Sequence, residues 1–136
     1  MLPEFVSLPF SIPNLYQGLA EARGILRTNA AGLVLEFEVK DGVVGMLKSG
    51  IKEVRLAIDE VSHIDLKEGW FRTRVFIRAN RLAALSSIPG NESGKIALQI
   101  ARKDRTLAKA LVSGLKLSLS EKELERLNQD RSILDR

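Results

Sequence analysis

The sequence predicts a mainly β domain: a seven-stranded antiparallel sandwich or partly open barrel, capped by a C-terminal helix. Three observations carry this. Seven short runs read as strands, and most of them alternate apolar and polar residues, the period of a half-buried strand. The connections between them are short and several hold Gly, Asn or Pro. From residue 104 onward the apolar spacing changes from two to three and four, the period of a helix.

Residues 1–17 hold three of the four prolines, Pro3, Pro9 and Pro13. Proline removes a backbone donor, so this stretch reads as an apolar arm rather than a regular strand. Its expected place is over a sheet edge or against a partner. Residues 19–27 read as the first strand, with Ala22, Gly24 and Leu26 on one face. Residues 32–40 alternate most cleanly: Leu33, Leu35, Phe37 and Val39 inward, Glu36, Glu38 and Lys40 outward. The glycine-rich stretch 41–50 reads as bends, and 51–58 as the third strand with Val54, Leu56 and Ile58 inward.

Residues 61–79 read as a hairpin turning at Glu68-Gly69, because Gly supplies the positive φ of a tight turn. That register sets Leu66 opposite Phe71, Ile64 opposite Thr73, Asp65 opposite Arg72 and His63 opposite Arg74. It sorts the ribbon into one apolar and one charged face. Leu82–Leu85 reads as a short sixth strand and 95–101 as the seventh, with Pro89-Gly90 a turn between them. Asp104 can cap a helix whose apolar stripe is Leu107, Ala108, Leu111, Val112 and Leu115, with Gly114 as its stop. Ser120 and Glu123 form a capping-box pattern for a second helix over 121–131.

The chain of 136 residues is short enough for one domain and long enough to bury about 65–70% of its unfolded surface. It has no cysteine and one histidine, so no disulfide and no three- or four-ligand zinc-type site is expected. The formal charge of +4 is spread over interleaved acids and bases, so nucleic acid is not an expected partner. No run reaches the ~20 apolar residues of a membrane span, and residues 1–13 lack the pattern of a signal peptide. A cytoplasmic location is expected.

Several residues invite a chemical reading. Gly90-Asn91-Glu92-Ser93-Gly94-Lys95 has one residue too few between its glycines for a phosphate loop and no Ser or Thr after the lysine, so it reads as a plain loop. His63 has Asp65 two residues on, the beginnings of a general base; the alternative is a surface histidine in a charged ladder. Glu36 and Glu38 share a face, as paired carboxylates could, or balance nearby bases. Arg72, Arg74 and Arg78 alternate along one run with Phe76 among them, a basic–aromatic combination able to grip phosphate or to pair with Asp65. Lys48, Lys52 and Arg55 form a second candidate surface for an anionic ligand. Trp70 and Phe71, at a hairpin tip, are candidate contact residues with Arg72 and Arg74; Phe71 also fits the core face.

Seven strands followed by one helix is the element order of the pleckstrin-homology superfold. Lys48-Ser49-Gly50 and its spacing to Ile58, the Gly69-Trp70-Phe71 turn, Pro89-Gly90, and Ala101-Arg102-Lys103-Asp104-Arg105 resemble small bacterial pleckstrin-homology-like (PH-like) proteins of unassigned function. The resemblance implies a PH-like domain over 18–115, between the 1–17 arm and a helical tail over 116–136. Eukaryotic lipid-binding members carry a basic cluster at the first hairpin loop, here Thr28-Asn29-Ala30-Ala31, and a tryptophan in the closing helix, here absent.

The function expected from all this is a non-enzymatic interaction module with no cofactor, which contacts a protein partner or its own copies. The alternative is peripheral binding to an anionic membrane or a phosphate-bearing ligand through a basic strand face. A third reading is a small enzyme using His63.

Overall fold

The computed structural model describes residues 6–29, 31–41 and 50–134. Among them are seven strands: β1 (Val6–Leu15), β2 (Ala20–Asn29), β3 (Gly32–Asp41), β4 (Lys52–Ala57), β5 (Val61–Glu68), β6 (Thr73–Ala79) and β7 (Lys95–Ile100). They form one antiparallel sheet in the order β4-β3-β2-β1-β7-β6-β5. A single helix, α1 (Arg105–Leu134), follows. The sheet is not closed, because β4 and β5 remain its two edges.

The mainly β class and the strand number agree with the sequence reading, but one member of the set differs. The stretch expected to be an irregular arm contains β1, an inner strand. Val6, Leu8, Phe10 and Ile12 are buried, while Ser7, Pro9, Ser11 and Pro13 take the alternate positions. β1 pairs with β2 from Val6↔Thr28 to Ile12↔Ala22, yet meets β7 only at Ser11↔Gln99. Pro9 and Pro13 flank Ser11 at the same strand parity. Two missing donors on one side account for a seam joined at a single residue. The expected strand Leu82–Leu85 is instead a 3₁₀ turn. Its Leu85 is buried, and the turn touches both β4 and β6, so it spans the gap between the two halves of the sheet.

The β5–β6 hairpin turns later than Glu68-Gly69. Glu68 pairs with Thr73, Leu66 with Val75 and Ile64 with Ile77, and Gly69–Arg72 form a four-residue loop. Each residue of β5 from His63 to Lys67 therefore faces a partner four positions further on than expected. An even offset leaves inward and outward faces unchanged, so the face-sorting test could not see it. A bulge between Val61 and His63 then sets Val61 opposite Ala79, and Ser62 Oγ donates to the Arg78 carbonyl at 3.1 Å.

The C-terminal part is one helix, not two. Gly114 lies inside it and does not end it, at a cost of about 1 kcal/mol relative to alanine. Ala108, Leu111, Val112 and Leu115 are buried and Leu107 partly so, which is the stripe read from the sequence, and a partly buried Leu119 extends it by one turn. Beyond Leu119 the helix is exposed as far as its side chains are described. α1 packs mainly on β5, and less on β1 and β6. Leu26, Leu35 and Leu56 on β2, β3 and β4 are nonetheless sealed from water. One helix cannot cover them, so the four-stranded half of the sheet curls over the three-stranded half around a common core.

Candidate binding surface

Two surfaces stand out, and both belong to the β5–β6 hairpin. The first is its tip. Gly69 N–H donates to the Arg72 carbonyl at 2.6 Å and closes the loop. Trp70 and Phe71 project from it at 86% and 89% exposure. Their rings meet edge to face, 6.4 Å apart at 72°. Phe71 was expected on the core face; the four-residue loop carries it into solvent instead. Arg102, in the 3₁₀ turn before α1, and Arg105, the first residue of α1, approach the tip, and with Gly69, Trp70 and Phe71 they line a shallow depression of about 480 Å³. Arg105 is committed there: its Nε donates to Thr73 Oγ1 at 3.2 Å and its guanidinium lies 3.9 Å from Glu68.

The second surface is the outer face of β5, β6 and β7. Strand register lays its side chains out as three rows. The row nearest the tip is Lys67, Arg74 and Gln99; the middle row is Asp65, Phe76 and Ala97; the far row is His63, Arg78 and Lys95. Lys67 Nζ, the Arg74 guanidinium carbon and Lys95 Nζ lie 5.4, 5.5 and 5.0 Å from the Phe76 ring centre. His63, Phe76, Ile77, Arg78 and Lys95 line a small surface cavity of about 140 Å³.

The acids that could neutralise this face are drawn to the helix. Asp65 Oδ1 takes a hydrogen bond from Lys116 Nζ at 3.1 Å and another from the Leu66 N–H at 2.9 Å. The Lys116 bond, and then the Leu66 bond, hold the Asp65 carboxyl below its ordinary pKa. Glu68 pairs with Lys109 at 3.0 Å and with Arg105. Among the described residues no carboxylate pairs with Lys67, Arg74, Arg78 or Lys95.

The remaining expectations fare differently. Asp65 does not face Arg72, which lies in the loop, and its hydrogen bonds go to Lys116 and Leu66 rather than to His63. Glu36 and Glu38 balance Arg27 at 2.9 Å and Lys40 at 3.7 Å. Arg55 pairs with Glu53 at 2.9 Å. Lys52 is exposed on β4, and Lys48 lies outside the described residues, so nothing gathers those three into one site. Gly90 to Lys95 leads into a strand. Lys67 and Lys95 are the members of the cationic face that the sequence did not single out. The alternation of β7 places Lys95 outward with Ala97 and Gln99, and the observed hairpin register places Lys67 beside Arg74; together these signals would have found them.

Between the exposed half of α1 and Ile58–Val61 lies another depression of about 480 Å³. Lys122, Glu123, Glu125 and Arg126 line it with both signs of charge, so it selects for neither. No described helix is long and apolar enough to cross a membrane. No family model matches the chain, and neither the curated proteins nor the solved structures contain a match to it.

Proposed function

We propose that this chain is a non-enzymatic binding module of PH-like fold that docks a protein partner, or a second copy of itself, through the β5–β6 hairpin tip. The carrying observation is the pair Trp70 and Phe71, adjacent, mutually packed and almost wholly exposed on a loop closed by its own hydrogen bond. Aromatic pairs of this kind supply large contact area for few rotatable bonds, and truncating such an anchor typically costs 2–4 kcal/mol of binding. Strands followed by one closing helix, and an open sheet bounded by β4 and β5, support the PH-like assignment.

Trp70 is the sole tryptophan, so its emission reports on the tip alone. Sedimentation velocity over a concentration series, with emission recorded in parallel, tests the reading. Self-association is expected to shift the emission to the blue, and Trp70→Ala is expected to abolish it. If the chain stays monomeric, an added partner protein takes its place in the same assay. Sedimentation and partner recovery unaltered by Trp70→Ala would overturn the proposal.

A second reading is favoured by a separate observation. The uncompensated cations around Phe76 fit a phosphate-bearing ligand on the basic strand face.

A further inference from the structure

We infer that the outer face of β5–β6–β7 is a platform for single-stranded nucleic acid, with phosphates on its two cationic rows and a base against Phe76. This rests on the phosphate-binding reading of that face and is independent of the hairpin tip.

The first support is electrostatic. Lys67 stands directly opposite Arg74, and Arg78 directly opposite Lys95. Like charges in opposed register destabilise a sheet, and here both rows carry them. Acids are available nearby, yet Asp65 and Glu68 are bonded to Lys116, Lys109 and Arg105 on the helix side. The face therefore keeps a concentrated positive field that a bound anion would relieve. Charge that is interleaved along the chain is clustered in space, because residues 67, 74, 78 and 95 come from three strands.

The second support is spacing. Arg74 and Arg78 are four residues apart on one strand, so the two cationic rows lie about 13 Å apart. At their charged ends the rows converge, with Lys67, Arg74 and Lys95 all within 5.5 Å of the Phe76 ring centre. A chain bearing phosphates at intervals that passes over the row holding the aromatic meets cations on both sides of it. In that row Ala97 is small and Asp65 is held by Lys116, so Phe76 has a short side chain on one side and a neutralised acid on the other, with Lys67, Arg74 and Lys95 around its ring. The cavity beside it, between His63, Arg78 and Lys95, has room for a small group. A positive track combined with a stacking ring is the general solution for binding single strands without sequence preference. A membrane is the less suitable occupant, because Phe76 is half-buried within the sheet face rather than projecting from it.

Fluorescence anisotropy of a short fluorescein-labelled oligothymidylate tests this. Four phosphate contacts give a log–log salt slope of about −2.8, so affinity falls roughly 50-fold between about 50 and 200 mM salt. In the double variant Arg78→Gln/Lys95→Gln the fall shrinks to about sevenfold. Phe76→Ala is expected to weaken binding about tenfold at every salt concentration and leave the slope unchanged. Phe76→Leu, which keeps apolar bulk without a ring face, should weaken it also. Matched arms use a duplex of the same length and vesicles containing phosphatidylserine. Binding to vesicles but not to the oligomer would overturn the single-strand inference while leaving the anionic-ligand reading intact. Binding to neither would overturn both. Equal binding to duplex and single strand, or indifference to loss of Phe76, would show a plain polyanion surface and contradict the inference.

Discussion

Gly24 is a point at which the four-stranded half of the sheet cannot take one added carbon without moving. In register it lies between Phe10 on β1 and Phe37 on β3. A Cβ at position 24 would overlap the Glu36 carbonyl oxygen and sit 2.8 Å from Phe37 Cβ. Carbon atoms rest about 3.5–4.0 Å apart, so β2 and β3 must separate by about 1 Å. That loosens two or three ladder hydrogen bonds at about 1 kcal/mol each. It also admits water to part of Phe37, now 2% exposed, for about another 1 kcal/mol. The lower chain entropy of alanine in the unfolded state returns about 0.5–1 kcal/mol. Gly24→Ala is therefore expected to destabilise the protein by about 2–3 kcal/mol, which for this chain length lowers the melting temperature by about 10 °C. Thermal melts and urea titrations followed by circular dichroism measure it. A variant as stable as the parent would refute the close approach of β2 to β3.

Three further outcomes follow from the same geometry. Asp65, held by Lys116, should titrate below the ordinary carboxylate value of about 3.9, and its stabilising contribution, present above that value, should fade as pH falls through the lowered midpoint. In Lys116→Ala the carboxyl resonance of Asp65 should titrate higher, though the Leu66 N–H still lowers it; identical midpoints would contradict the pairing. Leu111→Ala should cost about 2–5 kcal/mol in urea titrations, since Leu111 is sealed between helix and sheet, and an unchanged midpoint would mean α1 does not cover the core. Acrylamide should quench Trp70 nearly as well as free indole at dilutions where sedimentation shows a monomer; a tryptophan protected in the monomer would place the tip against the domain.

Much of the fold was legible because period and parity are local properties. The alternation of 32–40, the inward faces of β4 and β7, and the helical stripe from Leu107 to Leu115 each depend on a few adjacent residues. What was misread needed information from across the sheet. The prolines of Val6–Leu15 argue against a strand laddered on both sides, and β1 escapes that argument because its seam with β7 is joined at one residue. Gly114 and the Ser120 capping pattern suggest a break, but both lie in a helix already anchored on the sheet from Ala108 to Leu119. The hairpin register failed because an even offset preserves faces. That error also hid the cationic face: the expected register gave Asp65 to Arg72, whereas the true one gives Lys67 to Arg74 and leaves Asp65 to the helix.

Both proposed surfaces depend on where the β5–β6 hairpin turns. Cross-strand backbone nuclear Overhauser contacts report this directly. Contacts joining Leu66 to Val75 and Ile64 to Ile77 are expected, with Trp70 and Phe71 free of strand partners. Contacts joining Leu66 to Phe71 and Ile64 to Thr73 would return Phe71 to the core face, separate Lys67 from Arg74, and remove the basis for both the aromatic tip and the cationic platform.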